Sequence, residues 1–374
     1  MSDSILNKVQ NELNNINFDI FTKQDVLNAL SKDSLSFNDL AALLSPATET
    51  LLEDIAVCAK HKQQKHFGNG VKFYTPLYLS NYCDNGCTYC GYNADNKIKR
   101  AKLTLSEIEK EFKAIAKTGL KEILLLTGES AAHTDLDYIL SAVTSAKKYF
   151  TTIGLETYPM DADGYSALNK AGADFVSVYQ ETYDRDLYGK YHIMGPKKNY
   201  DFRFNSLLRA VNGGMRGVSF GALFGLGDFR YDAYAVALHA YFLLQSYPHT
   251  EIGFSVPRLR NFINSLDYSY NFVSEKQLFL VMCALRIFMP FTTISISSRE
   301  RAEFRDNVIG ICANKMSVGV KTSVGGHFGF KKGDEQFDTN DDRNIEKIHS
   351  SIVAKGLQPV YNDYINLTDL GNSG

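Results

Sequence analysis

The stretch VKFYTPLYLSNYCDNGCTYC, residues 71–90, decides how the rest of the chain is read. Its first half, Val71–Leu79, is a short run of apolar and β-favouring residues, the pattern of a strand covered on both faces. Its second half is a polar, glycine-containing loop that sets Cys83, Cys87 and Cys90 at a three-plus-two spacing directly after that strand. Thiolates are soft ligands suited to iron–sulfur clusters or zinc. Three cysteines in one loop can hold three irons of a cubane and leave the fourth open to another ligand, unlike ferredoxin clusters, which cysteine ligates fully. A structural zinc site wants four ligands, usually as two separated pairs. No second Cys-x2-Cys pair and no His-x3-His spacing follows here. Cys58, Cys283 and Cys312 lie in apolar runs and read as small buried hydrophobes.

Working outward, short apolar runs continue to alternate with amphipathic segments. Strands are expected at Glu122–Leu126, Thr152–Glu156, Phe175–Val178, Gly217–Ala222, Ile252–Val256, Thr292–Ile296 and Asn307–Ala313. After Thr104, Ile108, Phe112 and Ile115 form one helical stripe, with Ser106 and Glu109 at capping-box spacing and Gly119 as the stop. Leu136, Ile139, Leu140 and Val143 repeat the same face. Eight strands alternating with helices predict an α/β fold, a (β/α)8 TIM-type barrel over residues 71–320. Residues 1–70 read as an N-terminal helical segment, with helices at Ile20–Leu30, Ser36–Leu44 and Ala47–Ala59, and residues 321–374 as a C-terminal extension on the barrel.

Barrel chemistry sits at the C-terminal ends of the strands, and reactive residues fall there repeatedly. Thr127-Gly128-Glu129-Ser130 follows the second strand, Glu156 ends the third, and Gln180-Glu181-Thr182 follows the fourth. Gly225-Leu226-Gly227 follows the fifth but lacks the Lys-Ser or Lys-Thr of a phosphate loop. Arg258 and Arg260 follow the sixth strand, and Ser297, Ser298 and Arg299 the seventh. Arginines at two barrel mouths suit a bidentate clamp for a carboxylate substrate such as an amino acid.

Bulk properties narrow the function classes. With 40 basic against 42 acidic residues and no basic segment, nucleic acid is a poor partner. The polar N-terminus, MSDSILNKVQNELNN, has no signal-peptide core. No run of roughly 18 apolar residues supports a membrane span. Six cysteines, three of them clustered, do not resemble a disulfide framework and fit a reducing cytoplasm.

The cysteine spacing, with Tyr89 before the last cysteine, resembles the radical S-adenosylmethionine superfamily. The resemblance implies a [4Fe-4S] cluster on Cys83, Cys87 and Cys90, its open iron chelated by S-adenosylmethionine, whose reductive cleavage yields a 5′-deoxyadenosyl radical. It further implies that Tyr89 lies against the adenine and that Gly128-Glu129 meets the methionine amino group. Glu156 would accept from ribose hydroxyls, Glu181 would engage the methionine end, and Arg203 would pair with the methionine carboxylate. The runs PLYLSNYCDNGCTYCGYNADNKIKR, LLLTGES, LETYPM, VYQETY, HIMGPKKNYDFR, SVPRLR and SSRERAEFRD, between Phe67 and Tyr361, narrow the likeness to the thiamine-pathway tyrosine lyases. That family's reaction breaks the tyrosine Cα–Cβ bond to give p-cresol and 2-iminoacetate for the thiazole of thiamine. Arg258, Ser297 and Arg299 are the candidates for holding the tyrosine carboxylate. Thiazole synthase as partner and flavodoxin or ferredoxin as electron donor follow from the resemblance. The hydrogenase-maturation sibling carries a further C-terminal domain with cysteines, whereas no cysteine follows Cys312 here. A tryptophan lyase, or a non-catalytic iron–sulfur or zinc scaffold, are the competing expectations.

Overall fold

In the computed structural model, which describes residues 4–260, 271–337 and 339–362, the barrel is closed by its first strand. β1 (Gly70–Ser80) pairs in parallel with β2 (Glu122–Thr127) through Thr75–Ser80 and with β8 (Lys315–Ser317) through Lys72–Tyr74. Between them run β3 (Thr152–Glu156), β4 (Phe175–Ser177), β5 (Gly217–Gly221), β6 (Glu251–Ser255) and β7 (Thr293–Ile296), each parallel to its neighbours. β9 (Gln358–Val360) pairs with Gly70–Lys72, ahead of the stretch of β1 that meets β2. Every strand therefore points its C-terminal end to one face, and the loops that follow share one mouth.

Seven of the eight expected strands lie within a residue or two of their observed limits. The eighth is corrected. Asn307–Ala313 is the end of a helix, Ala302–Val308, and the turn after it, and the strand is Lys315–Ser317. Val308, Ile309, Cys312 and Ala313 are buried, and a short buried apolar run has no period that separates strand from helix. The helix over Leu105–Ala116 begins two residues earlier than its expected cap, with Thr104 and Glu107 forming the capping box. Glu109 instead accepts from Ser145 and Tyr149 of the neighbouring helical layer.

The N-terminal segment forms helices Ile5–Asn15, Lys23–Leu30, Phe37–Leu44 and Leu52–Phe67. Thr22/Asp25 and Ser36/Asp39 capping boxes set two of these starts, so both begin later than the expected Ile20 and Ser36. Prolyl geometry at Pro46 gives a 3-10 turn over Pro46–Thr50 where the helix Ala47–Ala59 was expected to begin. Their apolar faces pack on the outer barrel helices Phe229–Ser246 and Glu275–Phe288, and a single hydrophobic cluster runs from Ile5 to Ile352.

Residues 321–337 return over the barrel mouth, and one buried acid, Glu111, collects three of their backbone N–H groups. Glu111 accepts from the backbone N–H groups of Gly326 (2.9 Å), His327 (2.7 Å) and Phe328 (3.0 Å). The His327 ring reaches the Pro76 carbonyl of β1 at 3.0 Å. Residues 363–374 of the expected extension lie outside the described residues. Glu111→Gln keeps the shape but weakens these charge-assisted bonds, and is expected to lower stability by about 1.5–3 kcal/mol. Denaturant titration checks the loss, and limited proteolysis should show earlier cutting within residues 326–337.

Candidate active site

The loop after β1 carries the three thiols to the barrel mouth. Asn85 fixes the loop from inside: its amide donates to Glu129 Oε2 at 3.2 Å, and its carbonyl accepts from the Lys197 backbone at 2.9 Å. Cys83, Cys87 and Cys90 are free and all line one cavity, which encloses roughly 1020 Å³ with its open mouth included. Burial pushes the Cys83 thiol up to about 11 and raises Cys87 too, so neither ionises readily without a cation to meet it. Among the described residues no group of three His, Cys, Asp or Glu is disposed around a single metal ion. Three thiols lining one cavity suit a cluster that takes one thiolate per iron.

The strand tips beyond the thiols supply charge. Glu129 follows β2 and Glu181 follows β4, while Lys197 and Arg203 come from the segment after β4. Lys197 Nζ lies 2.7 Å from Glu181 and 3.4 Å from Glu129. Arg203 lies 3.0 Å from Glu129 and 3.4 Å from Glu181, with its Nε donating to the Tyr179 carbonyl at 2.6 Å. Burial alone would raise the Glu129 carboxyl, but the Arg203 and Lys197 charges outweigh it and hold it at about 2. Glu181 is lowered by the same pair against the same desolvation. All four groups are thus ionised in a water-poor site. Glu181 takes a positive φ of 72°, a costly conformation for a side-chain-bearing residue that is typical of functional positions. Gly128 is required sterically, because a Cβ there would stand 2.2 Å from the Tyr82 carbonyl.

A second chamber adjoins the first deeper in the barrel and shares Tyr78, Glu156, Tyr179, Arg299 and Phe337 with it. Ser297 lines this chamber, as do Tyr74, Leu124 and the hydroxyls of Ser255, Ser295 and Ser317. Glu156 stands on the shared wall and accepts from the Tyr179 hydroxyl at 3.1 Å. Burial, against the opposing pull of Arg299, pushes its carboxyl up to about 7. Arg299 lies with its guanidinium carbon 3.5 Å from the Phe337 ring centroid.

Most residues singled out in the sequence therefore meet: Tyr89, Gly128, Glu129, Glu156, Glu181, Arg203 and Arg299 line the first cavity with the cysteines, and Ser297 lines the second. Tyr89 is buried, its hydroxyl 2.7 Å from His192 Nε2. Arg258 is the exception and is corrected. It lines neither chamber; Nε and Nη2 grip Glu300 at 2.9 and 2.6 Å, and Nη1 donates to the Val273 carbonyl at 2.6 Å. Arg260, its neighbour two residues on, reaches the cavity wall instead. The strand-end rule also passed over Lys197, although it lies in the run HIMGPKKNYDFR. It could not find Gln336, whose amide sits 3.4 Å from Cys90 Sγ, or Phe337, since both arrive from the C-terminal segment.

Comparison with known proteins agrees with this geometry. Residues 77–233 match the radical SAM superfamily, and residues 255–358 match the biotin and thiamin synthesis associated domain. The 2-iminoacetate synthase of Salmonella typhimurium is 39% identical over 344 residues, 92% of this chain and 91% of that protein. The Escherichia coli 2-iminoacetate synthase is 38% identical over the same shares. Among solved structures, HydG, a maturase of the [FeFe]-hydrogenase, superposes with a TM-score of 0.89 at 29% identity, covering 95% of this chain and 80% of that one. A relative so similar along nine-tenths of both chains, together with three thiols and an ionised cluster at the mouth of a closed barrel, means that the chain belongs to the 2-iminoacetate synthase family of radical S-adenosylmethionine enzymes.

Proposed function

We propose that the protein is a carbon–carbon lyase that breaks the Cα–Cβ bond of L-tyrosine, giving 2-iminoacetate and p-cresol, the former destined for the thiazole of thiamine. The observation that carries this reading is the joined pair of chambers, one walled by thiols and paired charges, the other by Ser297, Arg299 and aromatic rings. Cys83, Cys87 and Cys90 hold the [4Fe-4S] cluster. Bound there with S-adenosylmethionine, the cluster supplies one-electron chemistry that generates a hydrogen-abstracting radical.

The chain's own residues bind and orient. Glu129 and Glu181 offer carboxylates to the methionine ammonium, and Arg203 offers a fixed guanidinium fork to its carboxylate. Lys197 bridges both glutamates and fixes their positions. Gly128 lets the backbone close on the loop, and Tyr89, pinned through His192, presents its ring to the adenine. Glu156 stands at the boundary, within reach of a ribose hydroxyl or of the substrate. In the inner chamber Arg299, flattened against Phe337, and Ser297 receive the tyrosine carboxylate. Tyr74, Tyr78, Leu124 and Leu126 form an apolar sleeve for the phenol ring. Such a hold presents the substrate nitrogen to the radical, which is the positioning the reaction needs.

2-Iminoacetate hydrolyses readily, so direct transfer to thiazole synthase fits its chemistry. Flavodoxin or ferredoxin would deliver the electron. No helix among the described residues is long and apolar enough to cross a membrane, and a cytoplasmic setting suits an oxygen-sensitive cluster.

Anaerobic incubation of reconstituted protein with S-adenosylmethionine, dithionite and tyrosine should yield 5′-deoxyadenosine and p-cresol, both lost in Cys83→Ala. Deoxyadenosine without p-cresol would overturn the substrate. The two arginines should separate cleanly. Arg299→Ala is expected to raise the KM for tyrosine roughly 10- to 100-fold, the worth of one charge-assisted contact, with little change in melting temperature. Arg258→Ala removes the two-point grip on buried Glu300 while Arg260 stays 2.6 Å from it, and is expected to cost about 1.5–3 kcal/mol of stability, read as a lowered melting temperature.

A further inference from the structure

An α-amino acid enters a site as a zwitterion, and its ammonium nitrogen has no lone pair. Removing a hydrogen atom from that cation would leave a radical cation, whereas the neutral amine gives a neutral aminyl centre. A proton must therefore leave the substrate nitrogen before the radical step, and something in the chamber must take it.

Three carboxylates face the joined chambers among the residues described above. Glu129 and Glu181 are each bound to both Arg203 and Lys197, so their proton affinity is low. Glu156 differs. It has no ion-pair partner within 4.0 Å among the described residues, and the single hydrogen bond to its side chain is the Tyr179 hydroxyl at 3.1 Å on Oε2. Its remaining oxygen is open to the cavity wall that both chambers share.

Across that wall stands Arg299, the expected seat of the substrate carboxylate. Ammonium and carboxylate hang from the same carbon, so a substrate held by Arg299 brings its nitrogen beside the carboxyl that faces Arg299. We propose that Glu156 is the base that takes the proton from the tyrosine ammonium, an inference that rests on the tyrosine reading above. The step is a simple transfer: an N–H bond breaks, an O–H bond forms on Glu156, and no electron moves. Tyr179 keeps its own proton, because burial raises its hydroxyl far above neutrality, and it steadies the carboxylate by donating.

The charged surroundings are mixed. Arg299 after β7 and Lys197 after β4 favour the ionised form, Glu181 opposes it, and Tyr74 and Tyr78 from β1 feel the same carboxylate. Burial prevails, and the carboxyl sits at about 7, a poise suited to proton exchange near neutral pH. The sign follows: as pH falls through that value Glu156 becomes protonated and cannot act as base, so activity is lost on the acid side.

The test compares reconstituted wild type with Glu156→Gln, which keeps the size and a hydrogen-bonding oxygen. Expected are unchanged iron content, S-adenosylmethionine affinity within about twofold, and kcat lower by roughly 100-fold at neutral pH. The acid limb of the wild-type profile should vanish, and the variant's rate should climb in alkali as the substrate amine loses its own proton. A variant that retains the acid limb would overturn the proposal. So would weakened cofactor affinity with kcat intact at saturation, which would assign Glu156 to the ribose. Absence of p-cresol from wild type would strike the tyrosine reading itself, a result distinct from either.

Discussion

Four charges enclosed at one barrel mouth govern everything around them. Arg203 and Lys197 each reach both Glu129 and Glu181, and through them tie the tip of β2 to the tip of β4. Buried ion pairs are a poor way to gain stability, since desolvation roughly cancels their attraction. Their value here lies in preorganisation: two carboxylates and two cations already face a cavity in which a zwitterionic ligand can exchange with them. The positive φ of Glu181 and the close approach of Gly128 to Tyr82 are the local strains that this arrangement carries.

The same frame divides the cavity's labour. Thiols and paired charges occupy the outer chamber. Serine hydroxyls, aromatic rings and Arg299 occupy the inner one. Glu156, Tyr179 and Arg299 belong to both, so whatever happens at one ligand is felt at the other. The C-terminal segment completes the enclosure from outside the barrel, with Gln336 on Cys90 and Phe337 on Arg299, and Glu111 holds that segment down.

Much of this was legible in the chain. Apolar runs placed seven strands because both faces of a parallel barrel strand are buried, and the loop after the first run carried the cysteines. Strand-end position then located Glu129, Glu156, Glu181 and Arg299. It failed for Arg258, because an arginine at a strand end can turn to solvent, cavity or carboxylate, and Glu300, forty-two residues away in sequence, decided the matter. The apolar-run reading failed for the eighth strand because Val308–Ala313 is as apolar as a strand and largely buried. Gln336 and Phe337 were invisible for another reason: contacts over more than two hundred residues for Gln336 leave no local pattern.

The central claim is that the site presents the nitrogen of a bound amino acid, and not its carbon, to the cofactor. Turnover in deuterium oxide tests it, because only hydrogens on nitrogen and oxygen exchange with solvent. Deuterium is expected in the 5′-deoxyadenosine formed from ordinary tyrosine in deuterium oxide, and none from Cα- or Cβ-deuterated tyrosine in water. Transfer of deuterium from either carbon would contradict the account.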